Sequence, residues 1–145
     1  MKIAIGSDHG GFEYKEIIKK RLTEEGYEVV DKGIATLQEV DYPDVAVEVA
    51  NAVVEKACDC GILICGTGIG MSIAANKVKG IRAALCADTF SARMSKEHND
   101  ANIIALGART LGIELAYEIV KAYLGAKFLG DKHLVRVNKI NGIQK

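Results

Sequence analysis

A chain of 145 residues that is 49% apolar is the size of one domain and can bury a core, so we expect a single domain over residues 1–145. Its 19 basic and 19 acidic residues balance, which argues against partners attracted by net charge, such as nucleic acid or an anionic membrane. Four cysteines without zinc-ligand spacing, an early charge at Asp8 and the lack of any 18-residue apolar run predict a soluble, cytoplasmic protein with reduced thiols.

Strand-like and helix-like segments alternate along the chain. Strands are predicted at residues 2–7, 28–32, 60–65, 81–86 and 102–106. Helices are predicted at about residues 12–25, 44–56, 89–98 and 111–124, with another that begins near Gly70. Strand-then-helix units with short connections imply a doubly wound α/β fold: a single, mainly parallel five-stranded sheet with helices on both faces. The basic segment from about Asp131 predicts a final helix that packs on the domain or on a neighbouring subunit.

A glycine loop, Gly66-Thr67-Gly68-Ile69-Gly70, follows the third predicted strand. It is not a phosphate-binding Walker loop, because Met71 stands where that loop needs lysine. A dinucleotide fingerprint needs one more residue between its last two glycines, although Asp88 lies at a suitable distance for the ribose contact. The loop does present backbone N–H groups at the start of a helix, where they can stabilise an oxyanion.

Cys65 ends the strand that leads into this loop. Nearby backbone dipoles favour the thiolate form of a cysteine, which indicates a reactive group at the ligand-binding edge of the sheet. The alternative is a small buried hydrophobic residue, the commonest role of a free cysteine. We expect that structural role for Cys58, Cys60 and Cys86.

Several polar residues follow other strands or end helices, and each has a plain structural alternative. Asp8 can cap the next helix while His9 is solvated, and His98 can complement the end of its helix. Lys132 and Arg136 are four residues apart, so on one helix they present two cations on one face, where a phosphate fits.

Six segments together resemble one known family along the whole chain. They are "IAIGSDHGGFEYK" at the start, "VDYPD" at 40–44, "GILICGTGIGMSIAANKVKGIRAALC" at 61–86, "HNDAN" at 98–102, "GAR" at 107–109 and "KHLVRV" at 132–137. The family is that of type B ribose-5-phosphate isomerase, which includes galactose-6-phosphate isomerase subunits and allose-6-phosphate isomerase.

The resemblance implies a flavodoxin-like or Rossmann-like fold and a homodimer, or a tetramer, with shared active sites and a C-terminal helix packed on the partner. It implies interconversion of ribose 5-phosphate and ribulose 5-phosphate through an enediolate, in the pentose phosphate pathway, with no metal and no cofactor. Cys65 then resembles the base that moves a proton between C1 and C2. The amides of Gly66, Gly68 and Gly70 resemble the anion hole, and Thr67 resembles the group that shuttles protons between the sugar oxygens.

The remaining site residues are also carried over from the resemblance. Asp8 and Tyr42 would hold hydroxyl groups, His98 would open the furanose ring, and Asn99 would help to stabilise the intermediate. Four residues would hold the phosphate: His9, Arg109, Lys132 and Arg136. Of the whole set, His98, Asn99 and Arg109 are expected from the partner subunit.

Two positions depart from the family pattern. Members often have arginine where this chain has Lys132, and lysine lacks the bidentate fork of arginine. Some members have glutamate at the position of Met71 and lack the cysteine, so here the base is expected to be Cys65. Two alternatives stay open: an isomerase acting mainly on a six-carbon sugar phosphate or a rare aldose of the allose/psicose type, and a nucleotide-binding regulatory module without chemistry.

Overall fold

The computed structural model describes residues 1–143, in which strands and helices alternate. The strands are β1 (Lys2–Ser7), β2 (Glu28–Asp31), β3 (Cys60–Cys65), β4 (Ala83–Leu85) and β5 (Ile103–Gly107). The helices are α1 (Phe12–Glu24), α2 (Tyr42–Val54), α3 (Ile69–Ala75), α4 (Thr89–Glu97), α5 (Ile113–Leu124) and α6 (Lys132–Ile143). One 3-10 turn at His9–Gly11 joins β1 to α1.

The five strands of residues 1–143 form one parallel sheet in the order β2-β1-β3-β5-β4. The chain moves outward from β1 to β2 and then crosses to the other side at β3, so strand order reverses between β1 and β3. Crevices that bind ligands lie at such a reversal, beyond the carboxyl ends of the strands. The predicted sheet is confirmed.

Apolar side chains fill both faces of the sheet, which is why β3 is buried throughout. Side chains alternate along β3: Ile62 and Ile64 join the core beneath α1 and α5, whereas Leu63 and Cys65 join the core beneath α2 and α3. This alternation directs Cys65 to the α3 side of the sheet, beside the glycine loop.

Element boundaries differ most from the sequence predictions at α2 and β4. Helix α2 begins at Tyr42 rather than 44, because Pro43 occupies its first turn, where its missing N–H costs no hydrogen bond. Strand β4 is shorter than predicted and lies at the sheet edge, where the Asn76 side chain pairs with both the N–H and the carbonyl of Ala83.

A fully buried ammonium supports the end of β1. Lys15 Nζ contacts Asp31 Oδ2 at 2.7 Å and also donates to the Ile34 carbonyl. Burial raises the pKa of Asp31, but hydrogen bonds from Lys15, Lys19 and the Gly33 amide outweigh it, and its pKa lies below the usual value. Gly33 in turn accepts from the Ser7 amide at 2.8 Å, next to the candidate site.

Helix α6 packs loosely on the rest of the chain. Of its described residues only Val137 is buried, while Leu134, Val135 and Ile140 are exposed. Within residues 1–143 no helix has the length and apolar character needed to cross a membrane.

Candidate active site

A pocket of about 460 Å³ opens where strand order reverses, at the carboxyl ends of β1 and β3. This volume is in the range of small-molecule sites. Its lining residues are Asp8, Tyr42, Cys65, Gly66, Thr67, Ile69, Gly70 and Ile73. The pocket therefore brings together six of the residues predicted from sequence and adds two isoleucines.

The Cys65 thiol lies at the base of this pocket, 5% exposed. The Gly68 amide donates to its sulfur over 3.1 Å. Gly68 adopts φ +81°, and a Cβ there would lie 2.9 Å from the backbone of Leu106, so only glycine fits this turn. The loop glycine thus aims an N–H group at the candidate base.

The other three cysteines are buried outside this pocket. Burial raises the pKa of Cys60 to about 12 and that of Cys86 to about 11, so both thiols stay protonated at neutral pH. Burial also raises the pKa of Cys58. These three positions fit the structural role expected from sequence.

The rest of the glycine loop begins α3. Thr67 Oγ1 accepts from the Ile69 amide at 3.2 Å and so caps the helix. First-turn amides such as that of Gly70 have no acceptor within the helix, and Gly70 lines the pocket. A growing negative charge on a bound sugar oxygen has donors available there.

Tyr42 packs directly on the start of α3. A Cβ added to Gly70 would lie 2.4 Å from Cε1 of the Tyr42 ring and 2.8 Å from its hydroxyl oxygen. Any larger residue at 70 would therefore push the ring away. The glycine keeps the phenol at the pocket wall, where it is 40% exposed.

Asp8 both caps a turn and lines the pocket. Its Oδ1 accepts from the Gly11 amide at 3.1 Å, which caps the 3-10 turn, and the residue also lines the pocket at 8% exposure. The capping alternative and the site prediction are thus compatible. His9 follows on this turn and is exposed, and a Cβ on its neighbour Gly10 would lie 3.5 Å from the Gly66 nitrogen. His9 therefore stands at the same edge as the pocket.

Arg109 contacts the glycine loop of its own chain. Its amide donates to the Gly66 carbonyl of the same chain at 2.9 Å. Its side-chain Cδ lies 3.4 Å from where a Gly66 Cβ would be. The turn after β5 therefore places this exposed cation against the glycine loop of its own chain; that it also reaches a partner's site stays a prediction.

His98, Asn99, Lys132 and Arg136 gather at the opposite edge of the sheet. His98 ends α4 just before β5 begins, at the amino edge, whereas Cys65 pairs with Gly107 at the carboxyl end of β5. The five residues of β5 span about 13 Å at roughly 3.3 Å per residue. One chain therefore does not bring the two groups together.

Helix α6 joins this second group through stacked imidazoles. The His98 and His133 rings lie 4.2 Å apart and are nearly parallel. Burial lowers the pKa of His133, and His98, Lys132 and Arg136 lower it further. Lys132 and Arg136 lie one turn apart on α6, as their spacing predicted, and both are exposed.

Comparison with known proteins decides the family. A family model described as Ribose/Galactose Isomerase matches residues 3–140. The chain belongs to this family. It is 51% identical to ribose-5-phosphate isomerase B of Escherichia coli over 144 residues, covering 99% of this chain and 97% of that protein. It is also 47% identical over 141 residues to a D-erythrulose-4-phosphate isomerase of Pectobacterium atrosepticum, covering 97% and 93%.

A solved structure agrees with this assignment. Ribose-5-phosphate isomerase B of Clostridium thermocellum superposes with a TM-score of 0.97 at 57% identity, covering 99% of this chain and 97% of that one. The predicted resemblance and fold class are confirmed.

Sequence reasoning missed some residues of this ribose/galactose isomerase. Ile69 and Ile73 line the pocket although they are 50% and 57% exposed, and their four-residue spacing on α3 was the available signal. His133 was not predicted as a site residue, and its stacking on His98 depends on how α6 lies against α4, which no local pattern reveals.

Proposed function

We propose that the chain interconverts ribose 5-phosphate and ribulose 5-phosphate through an enediolate, with Cys65 as the base. The observation that carries the proposal is the Cys65 sulfur, which accepts an N–H from the glycine loop inside a pocket walled by Asp8 and Tyr42. The full-length similarity to E. coli ribose-5-phosphate isomerase B supports the reaction class.

The proposed chemistry divides the work between the base and the loop. Cys65 removes the proton from C2 of the open aldose and returns it to C1. The carbonyl oxygen gains negative charge in this step, and the loop amides of Gly66 and Gly70 stabilise it, while the Gly68 amide binds the Cys65 sulfur. One such donor is typically worth about 10²–10³ in rate. Thr67 moves protons between the two sugar oxygens, while Asp8 and Tyr42 hold the hydroxyl groups.

The second group of residues is proposed to act from a partner copy in a homodimer. His98 opens the furanose ring and Asn99 supports the intermediate, while Lys132 and Arg136 hold the phosphate with His9 and Arg109 of the first copy. Exposed apolar side chains on α6 and around the pocket support this packing, since a second copy would cover them.

Mixing two inactive variants tests the shared site. A symmetric dimer of Cys65→Ala and His98→Asn chains contains one site with both residues intact. Unfolding and refolding the two together should restore about a quarter of wild-type activity, because half of a random mixture is hybrid and each hybrid has one of two sites intact. No recovery, with hybrid dimers demonstrated by mass, would contradict the shared site.

Substrate choice is tested by competing kcat/KM values. We expect kcat/KM to be higher for ribose 5-phosphate than for allose 6-phosphate, galactose 6-phosphate or free allose. D-Erythrulose 4-phosphate belongs in the panel because a 47% identical relative carries that name. A higher kcat/KM for any of these sugars would change the assigned substrate but not the assignment as an isomerase. Binding without turnover of any sugar would favour a non-catalytic module.

We also propose that residues 1–145 act as one domain in the cytoplasm. The four cysteines are unpaired, which suits a reducing compartment. Fractionation of cells from the source organism, followed by immunodetection, tests the location.

A further inference from the structure

One arginine holds the turn that carries His98 and Asn99. Arg82 stands directly before β4, and its Nε lies 3.1 Å from the carbonyl oxygens of both Asn99 and Asp100. Its Nη2 donates to the Asp100 carbonyl at 2.8 Å. Asp100 has a left-handed backbone, φ +46°, which residues other than glycine adopt uncommonly. The guanidinium therefore binds the backbone of a turn in an uncommon conformation.

The same side chain reaches helix α6. Arg82 Nη1 donates to Asn141 Oδ1 at 3.2 Å. Helix α6 carries Lys132 and Arg136, and Val137 is the one buried residue in its described part, so few apolar contacts fix its position. Arg82 is itself held, because its amide donates to Asn102 Oδ1 at 2.8 Å and its side chain is 17% exposed.

We propose that Arg82 is a positioning residue that sets His98 and Asn99 in register with the phosphate-binding cations of α6. The inference rests on the proposed function and adds a residue that acts through its neighbours rather than on the substrate. A planar guanidinium is needed, because it binds four acceptor oxygens in fixed directions, whereas a lysine ammonium provides a point charge without the fork.

The test separates ring chemistry from proton transfer. Starting from ribulose 5-phosphate, solvent deuterium exchange at C1 needs Cys65 and the loop, while formation of ribose 5-phosphate also needs ring closure. We expect Arg82→Lys to lower kcat/KM by about 10- to 100-fold, the scale of a misplacement near 1 Å. The ratio of exchange to isomerisation should rise, as in His98→Asn. The double variant should lose less than the product of the two single losses, because Arg82 acts partly through His98 and partly through Asn99 and α6.

Lys96→Met is the matched control. Lys96 pairs with Asp100 Oδ1 at 2.8 Å on the same turn but contacts neither Asn99 nor α6 through an ion pair or hydrogen bond in residues 1–143. Its kcat/KM should stay within about twofold of wild type, as for most partly exposed ion pairs.

Three results would overturn the inference: an unchanged exchange ratio in Arg82→Lys, additive losses in the double variant, or wild-type kcat/KM in Arg82→Lys. Should Arg82→Lys not fold, Asn141→Ala removes only the link to α6. It should then raise KM for ribulose 5-phosphate severalfold with kcat unchanged, and an unchanged KM would overturn the proposal. A wild-type protein without isomerase or exchange activity would instead refute the proposed function, and the role of Arg82 with it.

Discussion

Replacing Gly70 with alanine tests whether the position of Tyr42 matters to catalysis. The new Cβ would lie 2.4 Å from Cε1 and 2.5 Å from Cζ of the ring, while ordinary contact begins at 3.4 Å. The ring must therefore retreat by about 1 Å. It can do so because it is 40% exposed and the crowded atoms are at the far end of the side chain.

The expected result is a loss of activity without a loss of stability. Alanine is about 1 kcal/mol more favourable than glycine inside a helix, which offsets the packing lost by the ring. The melting temperature should stay within about 4 °C of wild type. A displacement near 1 Å should lower kcat/KM for ribose 5-phosphate by about 10- to 100-fold.

The assay combines steady-state kinetics with thermal unfolding of four variants, which are Gly70→Ala, Tyr42→Leu, their double variant and a control. Gly112→Ala is the control, because a Cβ there meets no described atom within 4 Å, and it should keep wild-type kinetics. Tyr42→Leu should lose as much activity as Gly70→Ala, and the double variant should lose little more. Full activity in Gly70→Ala would refute the reasoning, as would a large drop in its melting temperature.

Three further predictions concern charge and thiols. Iodoacetamide at pH 7.5 should modify Cys65 first and abolish activity, with sugar phosphate protecting; prior labelling of Cys60 or Cys86, whose pKa values are about 12 and 11, would contradict this. Lys132→Arg should lower KM severalfold with kcat unchanged, since a fork binds phosphate better; an unchanged KM argues against phosphate contact. The pKa of the Asp31 carboxyl is lower in the folded protein than its unfolded value near 4, so its ionised form stabilises the fold at any pH above that value. This stabilisation is lost as pH falls through the folded pKa. Asp31→Asn should therefore lower the free energy of unfolding by about 3 kcal/mol at pH 7, and that free energy should fall less between pH 5 and 3 than it does in wild type. Equal acid sensitivity of the two proteins would count against the pairing of Asp31 with Lys15.

The parallel sheet could be predicted because each of its strands is marked by a local pattern in the sequence. Residues 60–65 form a continuous apolar run, which is typical of a strand buried on both faces. The glycine loop after it marked the ligand edge, and the pocket lies there. Strand order was not predictable, since β4 passes over the place of β5 to reach the sheet edge, and such pairings are non-local.

The site was predictable only in part, because its residues belong to two edges of the sheet. Patterns placed Cys65, Thr67 and Asp8 at one edge through their strands. The position of α6 depends on contacts distant in sequence, such as Arg82 with Asn141 and His98 with His133. No periodicity encodes these, which is why the contribution of Arg82 emerges only from the structure.

The central claim is that Cys65 moves a proton between C1 and C2. The most direct measurement is solvent deuterium incorporation at C2 of ribose 5-phosphate formed from ribulose 5-phosphate, in buffer containing EDTA. Wild type, Cys65→Ala and the buried control Cys86→Ala are compared at equal folded concentration. The account predicts exchange and isomerisation in wild type and in Cys86→Ala, and neither in Cys65→Ala. Exchange in Cys65→Ala at the wild-type rate would show that another group is the base.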